Sequence, residues 1–540
     1  MRTSNRLGSL VAAAALLVAS LVLIVPFAAA DSPGGRDSPV STPRVQAAPH
    51  GQQGFPFMAS TLNLARAGYV EQEFLISGTA QAYIPVTLPL QPDGRWNVKP
   101  NPGVTAPYTT RILVRRPIDP KRFNGTVLVE WFNEAARFDA PGHWLYTHDE
   151  IMREGYAYVA VTAQFVGVKA LLGWESGPGA RYATLFHPGE SFAYDIFAQA
   201  GWVITHARDG DPRPLGNLTS EAHTVLAAGF SQAAAWLATY FNAMHRLSPV
   251  YGGFLIHDGG WTTPISLDVG SFYGDPIPGN VPVTPFIDTP YFPQLRTDLS
   301  VPALILQSEE GLSDYGNGAG RTFHLQPDSA HVRVWELAGA PHLETGWIEE
   351  FTADARKSNH DLPTADQCGN PPGIANIIHG QGARAALNVL KDWSNDEEAP
   401  RSAPRLSLVV PDPPDSYDTL VAFNRDPATN LVIGGIRLPP VAVPIATLDG
   451  NRSDLDLDLP GVCWDIGSID PWNHDSDPWD GQTGLDPSPT PEPDLQLLYG
   501  THTDYVLRVG AAAAGSVARR FLRPADALAA VAAAQKASVP

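Results

Sequence analysis

The sequence predicts an α/β fold in which a mainly parallel sheet carries helices on both faces. Three observations predict it. Short apolar runs rich in β-branched and aromatic residues alternate with amphipathic helical stretches between about residues 56 and 400. One run, Val225–Ala228, leads through Gly229-Phe230-Ser231-Gln232-Ala233 into a helical stretch carrying Trp236, Leu237, Tyr240 and Phe241. Two later runs end in segments holding a carboxylate and a histidine.

Taken in order, Tyr69–Ser77 and Thr109–Arg116 read as outer strands, and Thr126–Phe132 as a central one. Trp144–Glu154 has helical period and stops at Gly155, the residue type that tolerates the left-handed conformation at a helix end. Tyr156–Thr162 is the next strand. Glu190–His206 is helical, with Phe192, Ile196, Phe197 and Ala200 on one face. After Ser231 come strands at Gly253–Ile256, at Ala303–Gln307 behind Pro302, and at His331–Leu337. Residues 259–300, rich in Pro, Gly and aromatics, have the character of a lid or pocket wall. Gly382–Trp393 is a helix that packs on the sheet. Beyond Pro400 the chain turns Pro- and Asp-rich, and it ends in an Ala-rich helical stretch, Ala511–Ala534, broken at Pro524.

At 540 residues, with 44% hydrophobic and 17% charged content, the chain is globular and able to bury a large core. A net charge of -20 argues against nucleic acid and anionic membrane surfaces as partners. Arg2 and Arg6, the apolar stretch Leu10–Phe27 and Ala28-Ala29-Ala30 form the pattern of a cleaved leader over residues 1–30. Cleavage there implies a secreted or periplasmic protein with no stable membrane partner. Residues 31–55 then form a flexible N-terminus, and 56–540 the folded domain: a core to about 400 and a C-terminal segment, 401–540. The only two cysteines, Cys368 and Cys463, suggest one disulfide in an exported chain.

The small residues around Ser231 match a nucleophile elbow, the sharp strand-to-helix turn of an α/β-hydrolase fold. The strain lifts the hydroxyl off the sheet. The helix N-terminus and the Gln232 N–H then face a developing oxyanion. The second oxyanion donor is expected from the loop after Thr126–Phe132, at Asn133 or Glu134. In chain order an acid and then a histidine should follow. Ser308-Glu309-Glu310-Gly311 follows one strand and Ala340-Pro341-His342 the last, so His342 is the candidate base. Glu309 is the leading acid, with Glu310 and Asp314 as alternatives. Trp131, Phe132, Phe165 and Phe230 are candidate pocket aromatics. His143, His187 and the pair His257-Asp258 read as structural or pocket-lining. Asp454, Asp456 and Asp458, with Asp470, Asp475, Asp477 and Asp480, read as a solvated acidic segment without the spacing of a calcium loop.

Several segments together resemble a known family. They include VLVEWFNEA (127–135), YVAVTAQFVGV (158–168), HPGESFAYDIFAQAG (187–201), LAAGFSQAAAWLATYFNAMH (226–245), LILQSEEG (304–311), WELAGAPH (335–342) and GGIRLPPVAVP (434–444). The family is that of bacterial, often exported, alpha/beta hydrolase domain-containing proteins, regarded as serine esterases. The resemblance implies Ser231 as nucleophile, Glu309 as acid and His342 as base. It places residues 401–540 in the same domain, and Cys368 and Cys463 at positions like the family's cysteines. It departs at Ala233, where a serine or another small residue is usual.

The expected function is hydrolysis of a small-molecule or lipid-like carboxylic ester through an acyl-enzyme, without metal or other cofactor. An amidase or peptidase using the same side chains, and a non-catalytic binding protein on a hydrolase fold, are the alternatives. The oligomeric state is left open by the sequence.

Overall fold

The structure, a computed structural model of the chain, describes residues 40–539 apart from 89, 176, 260–292, 314–322, 363–376, 396–397, 410–421, 451–464 and 473–492. The leader pattern, both cysteines, Asp314, most of the expected lid and most of the Asp-rich segment therefore lie outside the described residues.

Nine strands form the main sheet: β1 (Arg44–Ala47), β2 (Tyr69–Pro85), β3 (Val98–Pro117), β4 (Thr126–Trp131), β5 (Ala157–Val161), β6 (Thr224–Phe230), β7 (Gly253–His257), β8 (Ala303–Gln307) and β9 (Val332–Glu336). Their order is β1-β2-β3-β5-β4-β6-β7-β8-β9. The first three strands pair antiparallel, as does β3 with β5, and every pair from β5 to β9 is parallel. β1 lies in the stretch expected to be flexible. It is held because all four residues, Arg44 to Ala47, pair with Ser77 to Phe74 of β2, and the Val45 side chain is buried.

Side-chain alternation along the strands builds two apolar layers. Leu128, Leu226, Leu255, Leu304 and Leu306 face one layer, which receives Trp144 and Ile151 of α1 (Gly142–Glu154). Helices Thr345–Lys357 and Ile378–Ser394 complete that layer. Val127, Val129, Phe254, Ile256 and Ile305 face the other layer, against α3 (Ala193–Val203) and α4 (Gln232–Thr239). Between α1 and α3 in sequence lies α2 (Phe165–Trp174). Helix α1 ends as expected at Gly155, at φ 79°.

The C-terminal segment joins the same compact unit, residues 39–540. Phe521 packs edge-on against Trp335 of β9, and Arg384 pairs with Asp526 at 2.9 Å. The Ala-rich stretch breaks at Pro524 as expected, giving the helices His502–Ala518, which starts earlier than expected, and Pro524–Ala534, which Pro524 opens.

A buried charge cluster ties the antiparallel edge to the loop after β4. Arg111 of β3 is fully buried and bonds Glu73 at 3.0 Å and Asp139 at 2.8 Å. Its guanidinium also lies over the Phe132 ring. Replacing it leaves Asp139 without a counter-charge in a medium that cannot solvate it, while Glu73 keeps Arg181 at 2.8 Å. Arg111→Met is therefore expected to destabilise the fold by about 3–5 kcal/mol. A urea midpoint unchanged from wild type would refute this.

Candidate active site

Ser231 stands between β6 and α4 at φ 56° and ψ −122°, a conformation that costs a non-glycine residue of order 1–3 kcal/mol. The turn is held from both sides: Ser231 N–H donates to His257 O at 2.8 Å, and Ala234 N–H to Ser231 O at 2.9 Å. Gly229 is required by the tightness of the turn. A Cβ there would stand 2.6 Å from the Ala233 carbonyl oxygen.

The structure brings Ser231 and His342 together, with His342 Nε2 2.9 Å from Ser231 Oγ. The His342 ring stacks on Phe230, with centroids 4.7 Å apart. Its other nitrogen, Nδ1, lies 2.5 Å from Asp258 Oδ2. Asp258 is the residue directly after β7, fully buried and at φ 53°. The Ser308 N–H donates to Asp258 Oδ1 at 2.7 Å, and the Ser308 hydroxyl lies 2.9 and 2.7 Å from Oδ1 and Oδ2. Burial works to raise this carboxyl. The charge and hydrogen bond of His342, with His379 and the Ser308 N–H behind them, outweigh burial and hold it below the ordinary value.

Glu309, expected beside His342, is elsewhere. Its carboxylate accepts the Gly339 N–H at 2.8 Å and pairs with Arg425 at 2.7 Å. Burial, with Asp449 close by, pushes its carboxyl above the ordinary range against the pull of Arg425. The alternative Glu310 accepts the main-chain N–H of His342 at 2.7 Å, so it meets the His342 backbone and not the ring. Their partners separate the two carboxylates: Glu309, after β8, is taken up by the Gly339 N–H and Arg425, whereas Asp258, at the end of the strand beside β6, meets the His342 ring. Sequence reasoning looked one strand too late. The available signal was a carboxylate immediately after the strand next to the elbow.

Gln232 opens α4, where backbone N–H groups have no intrahelical partner. Asn133 does not supply the second N–H. The loop after β4 folds back on itself, and Asn133 N–H donates to Ala140 O at 3.0 Å. Glu134 N–H is likewise taken, by the Gln232 side-chain oxygen at 3.2 Å. The Asn133 side chain bonds Phe230 O at 2.9 Å and still borders the cavity described next.

A cavity of about 330 Å³ opens at Ser231 and His342. Phe230, Leu343, Trp347, Ile348 and Phe351 give it an apolar wall, and no lysine or arginine lines it among the described residues. Trp347 is fixed by its indole N–H, which donates to Gly142 O at 2.9 Å. Of the four expected pocket aromatics only Phe230 lines this cavity. Trp131 points to the opposite layer, packed on Phe197 and Trp236. Phe132 lies in the core under Arg111. Phe165 starts α2 beside His187. Alternation along β4 put Trp131 on the far face. His187 is structural, with Nε2 2.8 Å from Ala163 O.

Strand order, elbow and cavity together define the class, an α/β-hydrolase. The chain matches the alpha/beta hydrolase domain family over residues 40–532 and belongs to it. No curated protein matches it. Among solved structures it is similar to a thermostable esterase from Pseudomonas putida, with 12% identity over 56% of this chain and 83% of that one, at a TM-score of 0.28. It is also similar to an α/β serine hydrolase without lid from Xanthomonas campestris, with 12% identity over 46% and 88% of the two chains, at a TM-score of 0.23. The fold assignment rests on the family match and the strand order, not on these two likenesses.

Proposed function

We propose that the protein is a serine hydrolase that cleaves carboxylic esters bearing an uncharged, apolar group. Ser231 Oγ attacks the ester carbonyl as His342 Nε2 takes its proton. Asp258 accepts the Nδ1–H, which keeps Nε2 free to act as base and stabilises the imidazolium that forms. The Gln232 N–H and the N-terminus of α4 face the oxyanion. The protonated His342 then returns its proton to the departing alkoxide, and a water attacks the acyl-enzyme by the same route. The single observation carrying this reading is the continuous contact from Ser231 Oγ through His342 to Asp258, opening on the cavity. The substrate class follows from the apolar cavity wall. An anionic substituent would lose its water there without gaining a cation.

A fluorophosphonate probe is expected to label wild type at one serine, Ser231, located by peptide mass. Among p-nitrophenyl esters, neutral aliphatic or aromatic acyl groups should exceed acyl groups ending in a carboxylate by about tenfold or more in kcat/KM. Matched anilides should react far more slowly. Absence of labelling would remove the hydrolase reading, and anilides cleaved as fast as esters would favour the amidase alternative.

A further inference from the structure

Below the His342 loop lie three buried histidines that the chemistry above does not use. His143 stands in the first turn of α1, His257 ends β7 beside Asp258, and His379 lies in the first turn of helix Ile378–Ser394. All three are fully buried. His143 Nδ1 is 3.1 Å from His257 Nδ1, and His257 Nε2 is 2.8 Å from His379 Nε2. His379 Nδ1 faces two main-chain carbonyls, Pro341 O at 2.8 Å and His342 O at 3.1 Å.

The row dictates its own protons. A carbonyl only accepts, so His379 carries hydrogen on Nδ1 and leaves Nε2 as a lone pair. His257 must then donate from Nε2, which leaves its Nδ1 to receive the Nδ1–H of His143. This single neutral pattern satisfies every contact and predicts a bare Nε2 on His143, the atom found without a partner. Burial above all pushes His143 down to about 3 and His379 to about 4, so the row is uncharged near neutrality. The nitrogens do not converge on one point, since His257 uses opposite sides of its ring, so the row is not a metal cage. It ends on carbonyls, which do not relay protons, so it is not a proton wire.

One end of the row is anchored. Glu130 of β4 accepts the His143 and Trp144 N–H groups at 2.7 and 3.0 Å, capping α1. The other end grips the peptide of His342, whose carbonyl also accepts the Tyr146 hydroxyl. We propose that His379, braced through His257 and His143, is a positioning residue that holds the His342 main chain so that its ring meets both Ser231 and Asp258. This inference rests on the reading of His342 as the base. His342 stands in a loop after β9, and a misplacement of about 1 Å at a reacting group can cost on the order of 100-fold in rate.

The test compares His379→Asn with His379→Gln in the full chain. An Asn amide places N–H near the former Nδ1 position, toward the carbonyls. A Gln amide places its polar end near the former Nε2, toward His257. Turnover is divided by sites counted with a fluorophosphonate, so a smaller folded fraction does not register. Turnover per site should fall about 10- to 100-fold in the Gln variant with KM nearly unchanged, and stay within about threefold of wild type in the Asn variant. Equal losses in both variants would assign the effect to packing alone and overturn the proposal, as would a Gln variant with wild-type turnover. If the Gln variant does not fold, His379→Phe, which keeps the ring volume and removes the donor, replaces it and should show the same loss. Wild type that takes no label would instead defeat the hydrolase reading.

Discussion

Ser231→Ala is expected to lower kcat on a p-nitrophenyl ester about a million-fold while leaving KM close to wild type. On the proposed mechanism the two effects separate because the hydroxyl takes part only in bond making, whereas the cavity wall of Phe230, Trp347, Ile348 and Phe351 is not touched by the substitution. Removing one oxygen from a turn already held by His257 O and the Ala234 N–H leaves the main chain in place. The residual rate should be that of a cavity that still orients the ester and presents the α4 N-terminus to its carbonyl. Steady-state kinetics with purified variant, paired with loss of fluorophosphonate labelling, measures this. A variant retaining more than about one per cent of wild-type turnover would mean that another group attacks the ester.

Asp258→Asn is expected to cost about 10⁴-fold in kcat, against a change within about threefold for Glu309→Gln. The argument is one of proton placement. Ser308 N–H donates to Asp258 Oδ1, so an asparagine would keep its oxygen there and turn its NH₂ toward His342. An NH₂ facing Nδ1 forces the imidazole proton onto Nε2, the nitrogen that must accept from Ser231. The base would be present, correctly placed, and in the wrong tautomer. Glu309→Gln keeps an acceptor for the Gly339 N–H and weakens the pairing with Arg425, neither of which touches the imidazole. Its cost should appear in thermal stability. The opposite pattern, an inert Asp258→Asn and a crippled Glu309→Gln, would restore the acid assignment that the sequence favoured.

The elbow was legible because its constraint is local. Only small residues allow strand and helix to meet so closely around Ser231, and that requirement is written within five positions. The strands were legible for a similar reason, since period-2 burial on two faces leaves dense runs such as Thr126–Phe132. β1 was missed because its stability comes from pairing with β2, and four residues of ordinary composition carry no sign of a partner. The pocket was misjudged at Trp131, where richness in aromatics could not say which face of β4 each ring would take. Asn133 was misjudged because the hairpin-like bridge to Ala140 depends on how a loop closes.

The sequence by itself determined the α/β layering, the elbow at Ser231 and the position of His342 after the last parallel strand. All three follow from periodicity, residue size and chain order. Only the tertiary structure decided that Asp258, and not Glu309, meets the imidazole, and that three histidines line up behind it. Those facts depend on which strands are neighbours and on how carboxylates share the N–H groups and arginines around them. Two carboxylates at two strand ends look alike in a sequence. Packing gave one of them to His342 and the other to Arg425.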